Sequence, residues 1–236
     1  MRWQPVAAFG AGIGILGYWI WKIHAPESVL LFITDTHGSA VSNAALADAL
    51  RAEVGVTAIL HGGDVADTPE LFPTWWDRPF RNLPAPVRGA RGNHDDPDEF
   101  ARRFGRHTPL RLPGVDVFFL PWGWRSAAAE TLARQIASST ARHRILVVHK
   151  PILPDGGWEM LLPSLERIDL VLAGHEHVFA DQSFPVGDRF VRQIVEVSGP
   201  KKYRCRDVRP DCLEGTTGYL RIEAGRDLVV ERRVLP

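Results

Sequence analysis

Val29-Leu30-Leu31-Phe32-Ile33-Thr34-Asp35-Thr36-His37-Gly38 joins an apolar run to a carboxylate and an imidazole. The run has no polar face and reads as a strand buried on both sides. A spacing of two keeps Asp35 and His37 on one side of an extended chain. Outward from this stretch, the same arrangement recurs. Apolar runs at 57–62, 86–91, 144–148 and 169–174 lead into Gly63-Asp64-Val65-Ala66-Asp67, Gly92-Asn93-His94-Asp95, His149-Lys150-Pro151 and His175-Glu176-His177. Five of the nine histidines fall in these islands. Open α/β sheets present ligand-binding groups at the carboxyl ends of their strands, so the islands are expected to converge on one rim.

The 236 residues fit one domain of generous size, or one domain plus an anchor, and a hydrophobic content of 45% suffices for a core. A formal net charge of zero provides no basic field for a nucleic-acid polymer. Cys205 and Cys212 suit neither a zinc CxxC nor a disulfide-rich scaffold, and their pairing is left open.

Residues 1–27 read as a membrane anchor and spacer, and 28–236 as the folded domain. Pro5 to Trp21 carries no charge, with Trp3 at one end and Tyr18, Trp19 and Trp21 at the other. That is the length and aromatic placement of a single transmembrane helix. Arg2 and Lys22 nearly cancel, so the positive-inside rule barely decides orientation, and the extracytoplasmic side is favoured for the domain. The expected location is a bacterial inner membrane, with membrane lipid as a partner. Gly12, Gly14 and Gly17 match a dinucleotide fingerprint, but the preceding strand is too short and the following helix would be apolar all round. Gly10 and Gly14 form a GxxxG, a hint of helix pairing.

Strands and helices then alternate. Ser42 is the expected N-cap of a helix carrying Leu46, Leu50 and Val54, and helical patterns fit 98–107, 127–141 and 158–167. Further strands fit 115–120, 190–197, 218–222 and 228–234. Alternation followed by a late run of strands predicts two packed sheets flanked by helices.

The islands supply nitrogen from His37, His149, His175 and His177, carboxylate from Asp35 and Asp64, and an amide oxygen from Asn93. Nitrogen and oxygen without thiolate favour Mn, Fe or Zn. The set is too large for one tetrahedral ion and suits two ions sharing a carboxylate.

The five islands, present in family order, resemble the calcineurin-like metallophosphoesterase superfamily over nearly all of 29–198. The resemblance implies an α/β fold, a four-layer α/β/β/α sandwich of two mixed sheets, here preceded by the transmembrane helix. It implies two divalent ions, with Mn favoured. Asp35, His37 and His177 would hold one, Asn93, His149 and His175 the other, and Asp64 would bridge them. Two such ions would lower the pKa of a bridging water and clamp phosphate oxygens. His94 would face the phosphate together with Asn93, and Asp67 would orient His94. The substrate would be a phosphate ester, probed first as a diester or pyrophosphate, lipid- or nucleotide-linked. The other reading is a catalytically silent, membrane-anchored binding module. Oligomeric state is left open.

Departures narrow the field. Thr68-Pro69-Glu70 follows Asp67 where Ser/Thr protein phosphatases have Arg-Gly. Position 67 is not the tyrosine of purple acid phosphatases, and His149-Lys150-Pro151 differs from the His-Gly-Asp of soluble lipid A pathway hydrolases. The pattern looks most like small bacterial phosphodiesterases, with Glu176 where that family often has Thr. Asp95 is readable either as support for a ligand or as a turn former. His61 is read as structural, and His24, His107 and His143 receive no role. Trp75, Trp76, Trp122, Trp124 and Trp158 lie near the motifs, with core packing the expected fate of most and the wall of an acyl or base pocket the alternative for some. Lys201, Lys202, Arg204, Arg206 and Arg209 form a basic stretch diluted by Asp207, Asp211 and Glu214.

Overall fold

A computed structural model of the chain describes residues 25–38, 40–152, 158, 161–199 and 217–235. The expected anchor, His24, the two cysteines and the basic stretch after 200 lie outside them. No helix among the described residues is long and apolar enough to cross a membrane.

Two mixed sheets form the centre. The first has the order β11-β10-β1-β2-β3, built from β1 (Ser28–Ile33), β2 (Ala58–His61), β3 (Val87–Gly89), β10 (Gly218–Ala224) and β11 (Leu228–Val234). In it β1, β2 and β3 run parallel, while β10 returns antiparallel to β1. The second has the order β4-β5-β6-β7-β9-β8, built from β4 (Leu110–Leu112), β5 (Val115–Leu120), β6 (His143–Val148), β7 (Leu170–Ala173), β8 (Ala180–Val186) and β9 (Arg189–Val195). Its inner strands β5, β6, β7 and β9 are parallel, and its outer pairs are antiparallel.

Strand side chains alternate between two apolar layers, which is why these strands read as continuous hydrophobic runs. Leu30, Phe32 and Leu60 of the first sheet meet Val117, Ile145, Val147 and Leu172 of the second. On the outer face of the first sheet, Leu31, Ile33 and Ile59 pack against Leu46 and Leu50 of α1 (Ala40–Ala52) and Phe100 and Phe104 of α2 (Pro97–Phe104). On the outer face of the second, Leu146, Val148 and Val171 pack against Leu132 and Ile136 of α3 (Ser126–Ala137) and Leu165 of α4 (Leu162–Leu165). The result is helices on both outer faces of two stacked sheets.

Local chemistry moved some expected boundaries. Ser42 lies inside the first turn of α1 rather than capping it, because Asn43 Nδ2 donates to the carbonyls of Thr36 (2.7 Å) and Trp75 (2.8 Å) and fixes the helix entry. Asp96 is the cap of α2, accepting from the N–H groups of Asp98 and Glu99, and Gly105 at φ 75° ends that helix well before His107. Helix α3 stops at Ala137, and only one turn around 162–165 is helical among the described residues of 158–167. The edge strands β4 and β8 were not expected. In β8, Pro185 sits on the unpaired side of a sheet edge, where a missing N–H is tolerated.

Candidate metal centre

All five islands emerge from the carboxyl ends of β1, β2, β3, β6 and β7, three from one sheet and two from the other. Within each sheet, neighbouring loops are bonded to one another along the rim. Asp35 N–H donates to Gly63 O (2.9 Å), His37 N–H to Asp64 O (3.1 Å), and Gly174 N–H to His149 O (2.9 Å).

The backbone bends sharply where the candidate ligands sit. Asp35, Asp64, His175 and His177 have φ values of 53°, 57°, 71° and 53°, in the left-handed region. Such a residue costs on the order of 1–3 kcal/mol. Burying one Leu or Phe contributes roughly 1.5–3 kcal/mol, and three apolar layers hold the loops in place. Two glycines permit the closeness: a Cβ on Gly92 would run into the Asp64 carboxylate, and one on Gly174 into Thr34 and the Asp35 carboxylate.

The ligand-type side chains fall into clusters whose donor atoms lie within 4.8 Å of one another. One contains Asp35, His37, Asp64 and His177, and another Asp64, His149 and His175. Asp64 is common to both. Its Oδ2 stands 3.3 Å from His149 Nε2, 3.9 Å from His37 Nε2 and 4.0 Å from His94 Nε2. Asn93 Oδ1 completes the second group, 2.9 Å from His149 Nε2 and 3.0 Å from His175 Nδ1. In the first group, His177 Nε2 is 3.6 Å from Asp35 Oδ1.

The neighbours set which ring nitrogen faces inward. His149 Nδ1 lies 2.9 Å from Gly62 O, an atom that can only accept, so Nδ1 keeps a proton and Nε2 is the nitrogen that faces the centre and offers its lone pair once its own proton is lost. His37 Nδ1 lies 2.5 Å from Asp67 Oδ1, which turns Nε2 toward Asp64. Three donor atoms, His149 Nε2, His175 Nδ1 and Asn93 Oδ1, thus converge within 3.2 Å of one another. Such a nitrogen and oxygen set fits a divalent cation.

Charge in the cluster is tightly coupled. Burial pushes the Asp35 carboxyl up to about 7, against the pull of His149 and of the Thr34 hydroxyl, which donates at 2.6 Å. Burial also works against the charge on Asp64, but His149, the His94 N–H and His37 outweigh it and hold Asp64 below the usual carboxylate range. Burial lowers His149 as well, yet the Asp64 and Asp35 carboxylates raise it to about 9.

The remaining expected residues divide by place. His94 is 43% exposed and faces the same cavity as Asp64, Asn93, His175, Glu176 and His177. Asp67 reaches His94, at 3.3 Å between Oδ1 and Nδ1, but it lies closer to His37, so it serves two imidazoles rather than one. Asp95 supports Asp64: its carboxylate accepts from the N–H groups of Asp64 (2.8 Å), Val65 (2.7 Å) and Gly92 (2.8 Å). His61 is fully buried between Gly63 N–H and the Thr36 hydroxyl, and burial pushes it down to about 3, so it is a neutral structural group. Thr34 and Ser198 went unread in the sequence: Thr34 N–H donates to Ser198 Oγ at 3.2 Å while its hydroxyl orients Asp35. Only adjacency to Asp35 could have marked Thr34. Trp76 and Trp158 are buried, whereas Trp122 stands beside the cluster, its ring centroid 5.1 Å from that of His175.

The model of the calcineurin-like phosphoesterase family matches residues 28–179. No curated protein matches the chain. Among solved structures, the fold is similar to that of GAP50, the anchor in the inner membrane complex of Plasmodium, with a TM-score of 0.68, 13% identity, and 89% and 85% of the two chains covered. PhoD gives a TM-score of 0.59 at 10% identity, covering 89% of this chain and 69% of that one. A 5'-nucleotidase precursor from Thermus thermophilus gives 0.50 at 14% identity, and this chain spans 54% of its length. With the strand-end cluster in place and the family model matched across both sheets, the chain belongs to the calcineurin-like phosphoesterases, hydrolases of phosphoric ester bonds.

Proposed function

We propose that this chain is a two-metal phosphodiesterase or pyrophosphatase held at a membrane by residues 1–27, with Mn the favoured ion. The observation that carries it is the single Asp64 oxygen facing the imidazoles of both ligand groups. Asp35, His37 and His177 would hold one ion, Asn93, His149 and His175 the other, with Asp64 shared. Bound there, two divalent ions supply a hydroxide nucleophile at neutral pH and Lewis acidity toward phosphate oxygens.

The protein's own residues do the rest. Gly62 O and Asp67 hold His149 and His37 in the tautomers that present Nε2. The Thr34 hydroxyl and His175 N–H fix the Asp35 carboxylate. His94 lies open on the cavity and gives the proton of Nε2 to the departing ester oxygen, while Asp67 steadies Nδ1. Asn93 and His94 contact the phosphate as it turns over.

The test is cleavage of bis-p-nitrophenyl phosphate by the Mn-loaded full chain. Activity is expected, with loss of at least two orders of magnitude in Asp64→Ala and in His94→Ala. No cleavage across a broad panel of phosphate esters refutes the reading. The second reading is a catalytically silent, membrane-anchored binding module that keeps the fold, and the intact ligand set with Asp67 and His94 argues against it. That reading predicts that His94→Ala changes no biological activity. Protease protection of membrane fractions tests the tether and its side.

A further inference from the structure

Beside the metal centre lies an apolar cavity of about 280 Å³ walled by Leu120, Trp122, Trp124 and Trp158, with His149 and Lys150 as its polar lining. It adjoins the site: His149 lines it and belongs to the metal cluster, and the Trp122 ring stands 5.9 Å from the His149 ring and 5.1 Å from that of His175. Trp124 and Trp158 face each other with ring centroids 5.5 Å apart.

We propose that this cavity takes a hydrocarbon chain of the substrate, so that the ester cleaved at the metal centre is an amphiphilic, lipid-type phosphate. The inference rests on the phosphoesterase reading and narrows its substrate. Its first support is position: a group attached to a phosphate at the cluster has the tryptophan walls within a few ångströms. The second is chemistry. Indole N–H groups and the Lys150 ammonium are donors only. The His149 ring is committed to Gly62 O and to the cluster, and the Trp122 backbone is committed to Arg91, whose carbonyl accepts at 2.7 Å and whose guanidinium donates at 2.6 Å. Among the described lining residues a nucleobase would find no free side-chain acceptor for its amino donors, and a site of this kind disfavours such groups. A hydrocarbon loses nothing and gains contact with the rings.

The test is calorimetric titration of the Mn-loaded full chain with methyl-, butyl- and octylphosphonate and with adenosine 5'-monophosphate. Hydrolysis of the matching p-nitrophenyl alkyl phosphates is measured alongside. Binding is expected to tighten by about fourfold per methylene until the cavity is filled. In Trp122→Ala the octyl-to-methyl ratio collapses, and Trp122→Phe restores most of it. The backbone bonds to Arg91 survive both changes, so the loop keeps its place. Methylphosphonate binding with no dependence on chain length, or tighter binding of the nucleotide than of octylphosphonate, overturns the proposal and leaves the phosphoesterase reading standing. A chain-length dependence lost in Trp122→Ala but without hydrolysis of any ester supports the cavity and overturns the hydrolase mechanism. Absence of binding by every phosphonate overturns the proposal together with the metal-site reading.

Discussion

Asp67 Oδ1 stands 2.5 Å from His37 Nδ1, and the same oxygen stands 3.3 Å from His94 Nδ1. One carboxylate therefore orients both an inward-facing imidazole and the open imidazole on the cavity. Replacing it should damage two functions at once. Asp67→Asn is expected to weaken metal binding by about 10–100-fold and to lower kcat as well. His94→Ala is expected to lower kcat by about 10²–10⁴-fold with metal affinity retained. Metal titration by calorimetry beside kcat measured at saturating metal separates the two, and equal effects of both variants on metal affinity would refute the shared role.

Asp95 makes a prediction about stability. Its buried carboxylate gathers four N–H groups, those of Asp64, Val65, Gly92 and, at 3.4 Å, Ala66, at the turn where Asp64 is held at φ 57°. Each buried N–H left without a partner costs roughly 1–3 kcal/mol. Asp95→Ala should therefore destabilise the fold by about 3 kcal/mol or more and loosen Asp64. Asp95→Asn, which keeps one accepting oxygen, should lie between. Urea unfolding of the metal-free protein measures the difference. An unchanged midpoint in Asp95→Ala would show that the turn is held by other contacts.

The sequence made the centre legible where chemistry is local. Asp35-Thr36-His37 and His175-Glu176-His177 announce themselves by following strands that need no polar face, and both sheets were expected from the order of those strands. Contacts between distant residues stayed hidden. Asp67 and His37 are thirty positions apart, and the family resemblance pointed Asp67 only toward His94. Asp95 is readable in the sequence equally as support for a ligand or as the start of a turn with Asp96 and Pro97, and the structure decides for support: Asp96 caps the helix while Asp95 turns back to Asp64. Strand β8 escaped because Asp181, Gln182 and Ser183 interrupt any apolar run, and its pairing with β9 carries it. Trp122 owes its position beside His175 to Arg91, a contact no pattern in the chain encodes.

Metal loading should release protons. In the metal-free protein Asp35 is raised to about 7 by burial, and His149 is raised to about 9 by the Asp64 and Asp35 carboxylates, which outweigh its burial. Both groups bind a metal ion only after losing the proton. At pH 7 His149 is largely protonated and Asp35 about half so. Binding must expel these protons, so apparent affinity rises with pH from about 6 to 9 and levels off above. Calorimetry with Mn in two buffers of different ionisation enthalpy counts the protons. A pH-independent affinity across that range would show that the two groups are already deprotonated.

Glu176 carries a prediction about charge. It lines the cavity with Asp64, Asn93, His94, His175 and His177, and no Arg or Lys is among the described lining residues. A phosphate monoester approaches as a dianion near neutral pH, and a diester as a monoanion. The Glu176 carboxylate repels the dianion about twice as strongly, and within one cavity the difference is worth on the order of 1 kcal/mol. The wild-type enzyme should therefore prefer diesters. Glu176→Gln and Glu176→Thr should raise kcat/KM for p-nitrophenyl phosphate relative to bis-p-nitrophenyl phosphate by about fivefold or more. The gain should shrink as ionic strength screens the charge. An unchanged ratio in both variants would mean that Glu176 faces away from the phosphate, and that any diester preference comes from the shape of the cavity.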